Sequence, residues 1–189
     1  MSAGKSDMPA RLPEDPATLA HESATRAHES ATLADDPDTF RRILSHFATG
    51  IVVVTAHDTE PIGMTCQSFS SVSLDPPLVM FCPAHSSQTW PRIREVGTFA
   101  VNILAADQEE ICRKFAVSGS NKFAGVAWSP GLTGAPILSG VIAHIECRLE
   151  AVMAGGDHDI VTGRPMYVGE GPGFEPLLFF RSQYGGFSG

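Results

Sequence analysis

The dense apolar runs from Ile51 onward are short and are cut by glycine, proline or polar turns, so the ordered part of the chain must be built mainly of strands. Ile51 to Ala56, β-branched as far as Thr55, reads as a buried strand, closed by a turn over His57 to Pro61. Gly63 to Ser73 alternates small polar with apolar groups, and Leu78 to Cys82 is a second dense run. Asp75-Pro76-Pro77 separates these two, because neither proline can donate a ladder hydrogen bond. Phe99 to Leu104, Val141 to Val152, His158 to Gly163 and Leu177 to Phe180 add further strands joined by glycine-rich links. At least six strands with few helices predict a mainly β fold, a closed antiparallel barrel.

Helical spacing occurs in three places. Phe40, Ile43, Leu44 and Phe47 share one helical face, with Asp38 as the expected N-cap. Thr89 to Val96 reads as a short helix, and Asp107 to Phe115 as another that carries Ile111 and Phe115 inward. Ser118 to Gly134 reads as loop.

Residues 1–36 differ from the rest. They hold three basic and seven acidic residues, contain no aromatic residue, and repeat AHESAT at Ala20 to Thr25 and Ala27 to Thr32. Such a segment buries too little apolar area to offset its chain entropy, so it reads as a disordered acidic extension ahead of one domain over 37–189. Two copies of the repeat fall short of a coiled coil, and His21 and His28 read as solvated.

Several function classes lack support. A formal charge of −8 with no basic stripe argues against nucleic-acid binding. No apolar stretch is long enough to cross a bilayer, and Met1 to Asp15 lacks the apolar region of a secretory signal, so the protein reads as cytoplasmic. Cys66, Cys82, Cys112 and Cys147 lie far apart with no C-x-x-C pair, which supports no metal site; Cys82 and Cys147 read as reduced and buried. No G-x-G-x-x-G opens a βαβ unit, no P-loop is present, and no G-x-S-x-G nucleophile elbow occurs.

Gly63-Met64-Thr65-Cys66-Gln67-Ser68-Phe69, continued by Ser70 to Ser73 and Asp75 to Val79, resembles the flavin reductase domain family, the small components of two-component monooxygenases. The resemblance runs on through Asn102-Ile103-Leu104, Lys114-Phe115, Lys122-Phe123, Gly156-Asp157-His158 and Leu177 to Tyr184. It covers about Thr39 to Phe187 and implies a Greek-key, FMN-binding split β-barrel with a few short flanking helices. It also implies an NAD(P)H-dependent flavin reductase that takes hydride from NADH or NADPH, reduces FMN or FAD, and supplies a separate monooxygenase. A homodimer is implied as well.

The residues suit that chemistry. A flavin has a flat apolar ring, polar edges and a phosphate tail, so its site needs N–H groups, hydroxyls and a cation around an apolar floor. By the resemblance, Thr65, Cys66, Gln67 and Ser68 run beside the ring and ribityl chain. Family members often carry Ala-Asn where Cys66-Gln67 stands, and the Gln67 amide still donates and accepts. Cys82-Pro83-Ala84-His85-Ser86-Ser87-Gln88-Thr89 lies where a strand gives way to a helix; taken alone this is an N-cap, and beside the Thr65 segment it becomes a candidate flavin-phosphate loop, with Cys82, Pro83, Ala84, Gln88 and Thr89 as the residues expected at the flavin. Lys114 and Phe115 take the family's basic and aromatic places near the phosphates. Asp157 and His158 alone are a hairpin tip; by the resemblance they and Tyr184 face the nicotinamide. No residue is assigned a catalytic proton transfer, because the hydride passes directly to the flavin.

Two rival classes remain at this level: a flavin- or haem-binding split barrel without turnover, and an enzyme resembling pyridoxine phosphate oxidase. Flavin-dependent loss of NADH absorbance separates the first from a reductase, and oxygen-dependent product formation without a partner identifies the second. Deleting Met1 to Asp36 is expected to leave turnover with free flavin near the full-length rate, because the segment lies outside the matched region. A large fall in that rate would overturn this expectation, whereas a loss seen only with the oxygenase present would mark the segment as a docking element.

Overall fold

The structure, a computed structural model, describes residues 36–119 and 121–187. The extension expected over 1–36 therefore lies outside the described residues except for Asp36. The first helix, α1 (Pro37–Leu44), begins two residues earlier than expected: the Asp36 carboxylate, not that of Asp38, accepts the Thr39 N–H at 3.0 Å. Proline as its first residue suits a position that needs no donor. Phe40, Ile43, Leu44 and Phe47 are all exposed.

Twelve strands follow among the described residues. β1 (Thr49–Gly50), β11 (Leu178–Phe180) and β12 (Gln183–Gly185) make a small sheet ordered β1-β11-β12. β7 (Trp128–Pro130), inside the stretch expected to be loop, pairs with β8 (Pro136–Leu138), just beyond it, in a hairpin. The main sheet combines β2 (Val52–His57), β3 (Pro61–Cys66), β4 (Ser70–Leu74), β5 (Pro77–Phe81), β6 (Thr98–Ile103), β9 (Ala143–Gly155) and β10 (His158–Glu170). Its order is β3-β2-β6-β9-β10-β5-β4, antiparallel throughout.

That order corrects the closed barrel. β3 and β4, consecutive in sequence, stand at opposite ends of the sheet and exchange no ladder bonds. Gln67 to Phe69 leaves the β3 ladder, and a side chain spans the opening instead. The Ser68 hydroxyl accepts the Cys82 N–H at 2.8 Å, donates to the Cys82 carbonyl at 3.2 Å, and lies 3.0 Å from the Cys66 thiol.

β2 explains why its sequence does not alternate with polar residues. Val52, Val54 and Ala56 pack with Phe81, Trp90, Phe99 and Val161 in one cluster. Ile51 and Val53 face a second cluster with Leu104, Phe115, Phe123, Leu138 and Leu177, so both faces of the strand are buried. In β10 the ladder slips at Thr162/Gly163 and again at Pro165/Tyr167. The second slip lets a proline, which has no N–H, sit within a strand.

Two further helices flank the sheet. α2 (Trp90–Val96) buries Trp90 and Ile93. α3 (Glu109–Ala116) starts two residues later than expected and buries Cys112 and Phe115, while Ile111 is only half-buried. Of the four cysteines, none of them in a disulfide, Cys66, Cys112 and Cys147 are buried and Cys82 is half-buried. Among the described residues no helix is long and apolar enough to cross a membrane.

Candidate functional site

A cavity of about 590 Å³ opens where the free ends of the main sheet meet α3. Its walls come from segments far apart in sequence. Met64 to Cys66 end β3 and Gln67 and Ser68 follow it, Cys82 to Ala84 and Ser86 to Thr89 follow β5, and Phe115 and Ala116 end α3 with Ser118 just beyond. Lys122, His158 from the start of β10 and Tyr184 from β12 complete the lining.

Each wall is fixed by its own bonds. Thr65 donates its hydroxyl to the Cys112 carbonyl at 2.6 Å, tying β3 to α3. Gly63 lets the two come this close: a Cβ there would stand 2.7 Å from the Phe115 ring. The loop after β5 is clamped to the start of β10, since Ala84 bridges His158, His85 N–H donates to the Asp157 carbonyl at 2.9 Å, and Asp159 N–H donates to the Pro83 carbonyl at 3.0 Å. The Asp159 carboxylate accepts the Trp90 indole N–H at 2.7 Å and stands 3.1 Å from the His85 ring. The Trp90 bond, helped by His85, holds the Asp159 carboxyl below the usual carboxylate range. Ser87, three residues ahead, accepts the Trp90 backbone N–H at the start of α2 at 3.1 Å.

Three side chains set the polarity. Lys122 is half-buried and donates to the carbonyls of Gly63 at 3.1 Å and Phe115 at 3.0 Å. Burial pushes its ammonium pKa down, and no carboxylate among the described residues pairs with it. His158 Nδ1 lies 2.7 Å from the Asp157 carboxylate, a bond that lowers the Asp157 pKa and leaves Nε2 for a ligand. The Tyr184 ring sits under the Arg113 guanidinium, 4.5 Å from ring centre to Cζ, and edge-on to Phe179 at 5.0 Å. Its hydroxyl accepts from the Cys112 thiol at 3.5 Å, and that bond with burial pushes the Tyr184 pKa up to about 12, so the phenol stays protonated.

Most residues singled out from sequence meet at this cavity: Thr65, Cys66, Gln67, Ser68, Cys82, Pro83, Ala84, Gln88, Thr89, Phe115, His158 and Tyr184 all line it. Lys114 and Asp157 do not. Lys114 follows a different direction from Phe115 because adjacent residues on a helix diverge by about 100°, and its ammonium donates to the Ala124 carbonyl instead. Asp157 reaches the site only through the His158 ring. Ser86 and Ser87, from the same Cys82 to Thr89 loop, line it too, whereas Lys122, Met64, Ala116 and Ser118 carry no site role in the sequence reading. The signal for Lys122 was present as a second Lys-Phe pair, Lys122-Phe123, alongside Lys114-Phe115.

Comparison with known proteins gives the same picture over the same span. The flavin reductase like domain family matches residues 44–188. The reductase subunit HsaB of a flavin-dependent monooxygenase from Rhodococcus jostii is 45% identical over 152 residues, covering 80% of this chain and 78% of that protein. The FMN reductase (NADH) SmoA of Agrobacterium fabrum is 42% identical over 151 residues, covering 79% and 86%. Among solved structures, the NADH:FAD oxidoreductase SgcE6 of Streptomyces globisporus, in complex with NAD and FAD fragments, superposes with a TM-score of 0.79. It is 38% identical, with 84% of this chain and 98% of that chain covered. With a match that takes in every wall of the cavity, this chain belongs to the flavin reductase like domain family.

Proposed function

We propose that the cavity is where a reduced nicotinamide meets a flavin, and that the chain is an NAD(P)H:flavin oxidoreductase that hands reduced FMN or FAD to a separate monooxygenase. The observation that carries this reading is Lys122, a half-buried cation with two carbonyl partners and no carboxylate, facing a cavity of mononucleotide size. A buried ammonium without a counter-ion is costly, and a flavin phosphate supplies that counter-ion. Thr89, Ser86 and Gln88 add hydroxyl and amide groups to the same lining. Met64, half-buried, gives an apolar surface for a flat ring with the buried Phe115 in the wall beneath, and Gln67 offers both donor and acceptor to its polar edge.

When bound, the flavin supplies the electron chemistry: hydride leaves C4 of the nicotinamide for flavin N5, and solvent supplies the proton that completes reduction. The chain's own residues need only stack the two rings and keep them in place. Protonated Tyr184, held by Phe179 and Arg113, and His158, which presents Nε2, complete the lining around them. NADH oxidation followed with riboflavin, FMN and FAD tests the reading; no flavin-dependent oxidation would overturn it.

Replacing His158 with alanine is expected to raise KM for NADH by roughly 2- to 13-fold, the worth of one neutral hydrogen bond. Flavin affinity should hold. The fall in kcat should stay under the roughly 100-fold typical of losing a general acid or base. Varying NADH and flavin separately decides it: an unchanged KM for NADH refutes a contact with the dinucleotide.

A homodimer belongs to the same reading. Met166, Tyr167 and Val168 form an exposed apolar run in β10, and a partner subunit would cover such surface. Light scattering is expected to give twice the chain mass, and a monomer mass would overturn this.

A further inference from the structure

A second cavity, of about 610 Å³, adjoins the first and shares Gln88, Thr89 and Lys122 with it. We infer that this outer cavity receives the adenosine end of a dinucleotide flavin, so that the chain prefers FAD to FMN. The inference rests on the flavin-binding reading of the inner cavity and names which flavin that site is built for.

The argument starts from where charge lies. FAD is two nucleotides joined through a diphosphate, so its charge sits in the middle and its two ring systems lie at the ends. The chain has the same order. Two cavities, each of nucleotide size, meet at Lys122, whose ammonium uses two of its three N–H groups on the Gly63 and Phe115 carbonyls and keeps one for an anion. Burial already costs this cation, so a diphosphate beside it offsets more charge than a single phosphate ester.

The outer cavity is suited to a neutral end. Its other cation, Arg92, is held at 2.9 and 3.0 Å by both oxygens of Asp58 and at 3.1 Å by Glu60. Paired with two carboxylates, Arg92 cannot attract a further phosphate, and Glu60 on the rim repels one. What remains is an apolar floor of Ile62 and Phe123 with the exposed amide of Asn121 at the edge, a lining for a purine and its ribose hydroxyls. A nicotinamide dinucleotide carries the same adenosine diphosphate, but its reacting ring is assigned to the His158 end of the inner cavity, and the test separates the two sources.

The experiment measures dissociation constants of riboflavin, FMN and FAD for the full chain by fluorescence quenching, then repeats them on Asn121→Trp, whose indole fills the outer cavity. For the wild type, FAD is expected to bind about tenfold or more tightly than FMN. FMN should in turn bind more tightly than riboflavin. In Asn121→Trp, FAD should weaken by about tenfold while FMN holds. Equal affinities of FMN and FAD for the wild type overturn the proposal without any variant. An unchanged FAD affinity in a folded Asn121→Trp also overturns it. If the variant raises KM for NADH in assays run with FMN and leaves FAD tight, the outer cavity belongs to the nicotinamide dinucleotide and the proposal fails. If the wild type binds none of the three flavins, the reading of the inner cavity itself is wrong.

Discussion

Replacing Phe115 with alanine is expected to cost about 3–5 kcal/mol of stability, the usual loss for an aromatic ring removed from a close-packed site. Phe115 is fully buried, meets Phe123 edge-on at 4.9 Å, and packs against the glycine that brings β3 to α3. Phe115 also belongs to the lining of the inner cavity, so its loss loosens the wall beneath the proposed flavin. Urea denaturation without flavin reads the first effect, and flavin titration of the folded variant reads the second. A loss below about 1 kcal/mol would mean that the site collapses around the missing ring and that the packing described is not what holds α3 in place. Phe115→Leu should recover part of the stability, because it restores most of the buried apolar volume.

The second large effect concerns Glu146, a carboxylate 1% exposed in the middle of β9. It accepts the Leu132 N–H at 3.0 Å, the Thr133 N–H at 2.6 Å and the Thr133 hydroxyl at 2.5 Å. Burial acts to raise its pKa, but the donors of Thr133 and Leu132 outweigh burial and hold the carboxyl below its usual value. Glu146→Ala strands these donors and should destabilise the fold by about 3 kcal/mol or more. Because the folded pKa is depressed, the stabilisation is complete above the ordinary glutamate value of about 4.3 and is lost as pH falls through the lower folded value. The stability gap between wild type and Glu146→Gln should therefore narrow on acidification below about pH 4. A gap that widened there would reverse the assigned sign. Melting temperatures of both proteins between pH 3 and 7 check it.

Glu146 also shows where reading along a strand stops. In Ile145-Glu146-Cys147 the alternation places the glutamate on the face opposite its apolar neighbours, the face that sequence alone gives to solvent. The turn between β7 and β8 folds over that face and supplies the donors. Asn102 behaves alike. Buried in β6, it donates to Thr55 Oγ1 at 3.0 Å and accepts the Leu138 N–H at 2.8 Å, pinning the same hairpin to the sheet. Neither role has a local signature, because each depends on a hairpin more than 10 residues away or on the other side of the sheet.

The sequence by itself determined the dense strands β2, β5, β6, β9 and β11, several of the turns between them and the loops whose residue types suit a flavin. Those features are local: β-branched runs, proline without an N–H, and small polar groups beside an apolar strand act within a few residues. Tertiary structure decided the rest. It left the sheet open between β3 and β4, with Ser68 spanning the opening, where strand count had suggested closure. It chose Lys122 over Lys114 as the cation of the cavity, although both precede a phenylalanine. The physical reason is the same in each case. Local patterning fixes which face of an element is apolar, whereas the partner that a long side chain or a strand edge finds is set by which distant segments pack against that face.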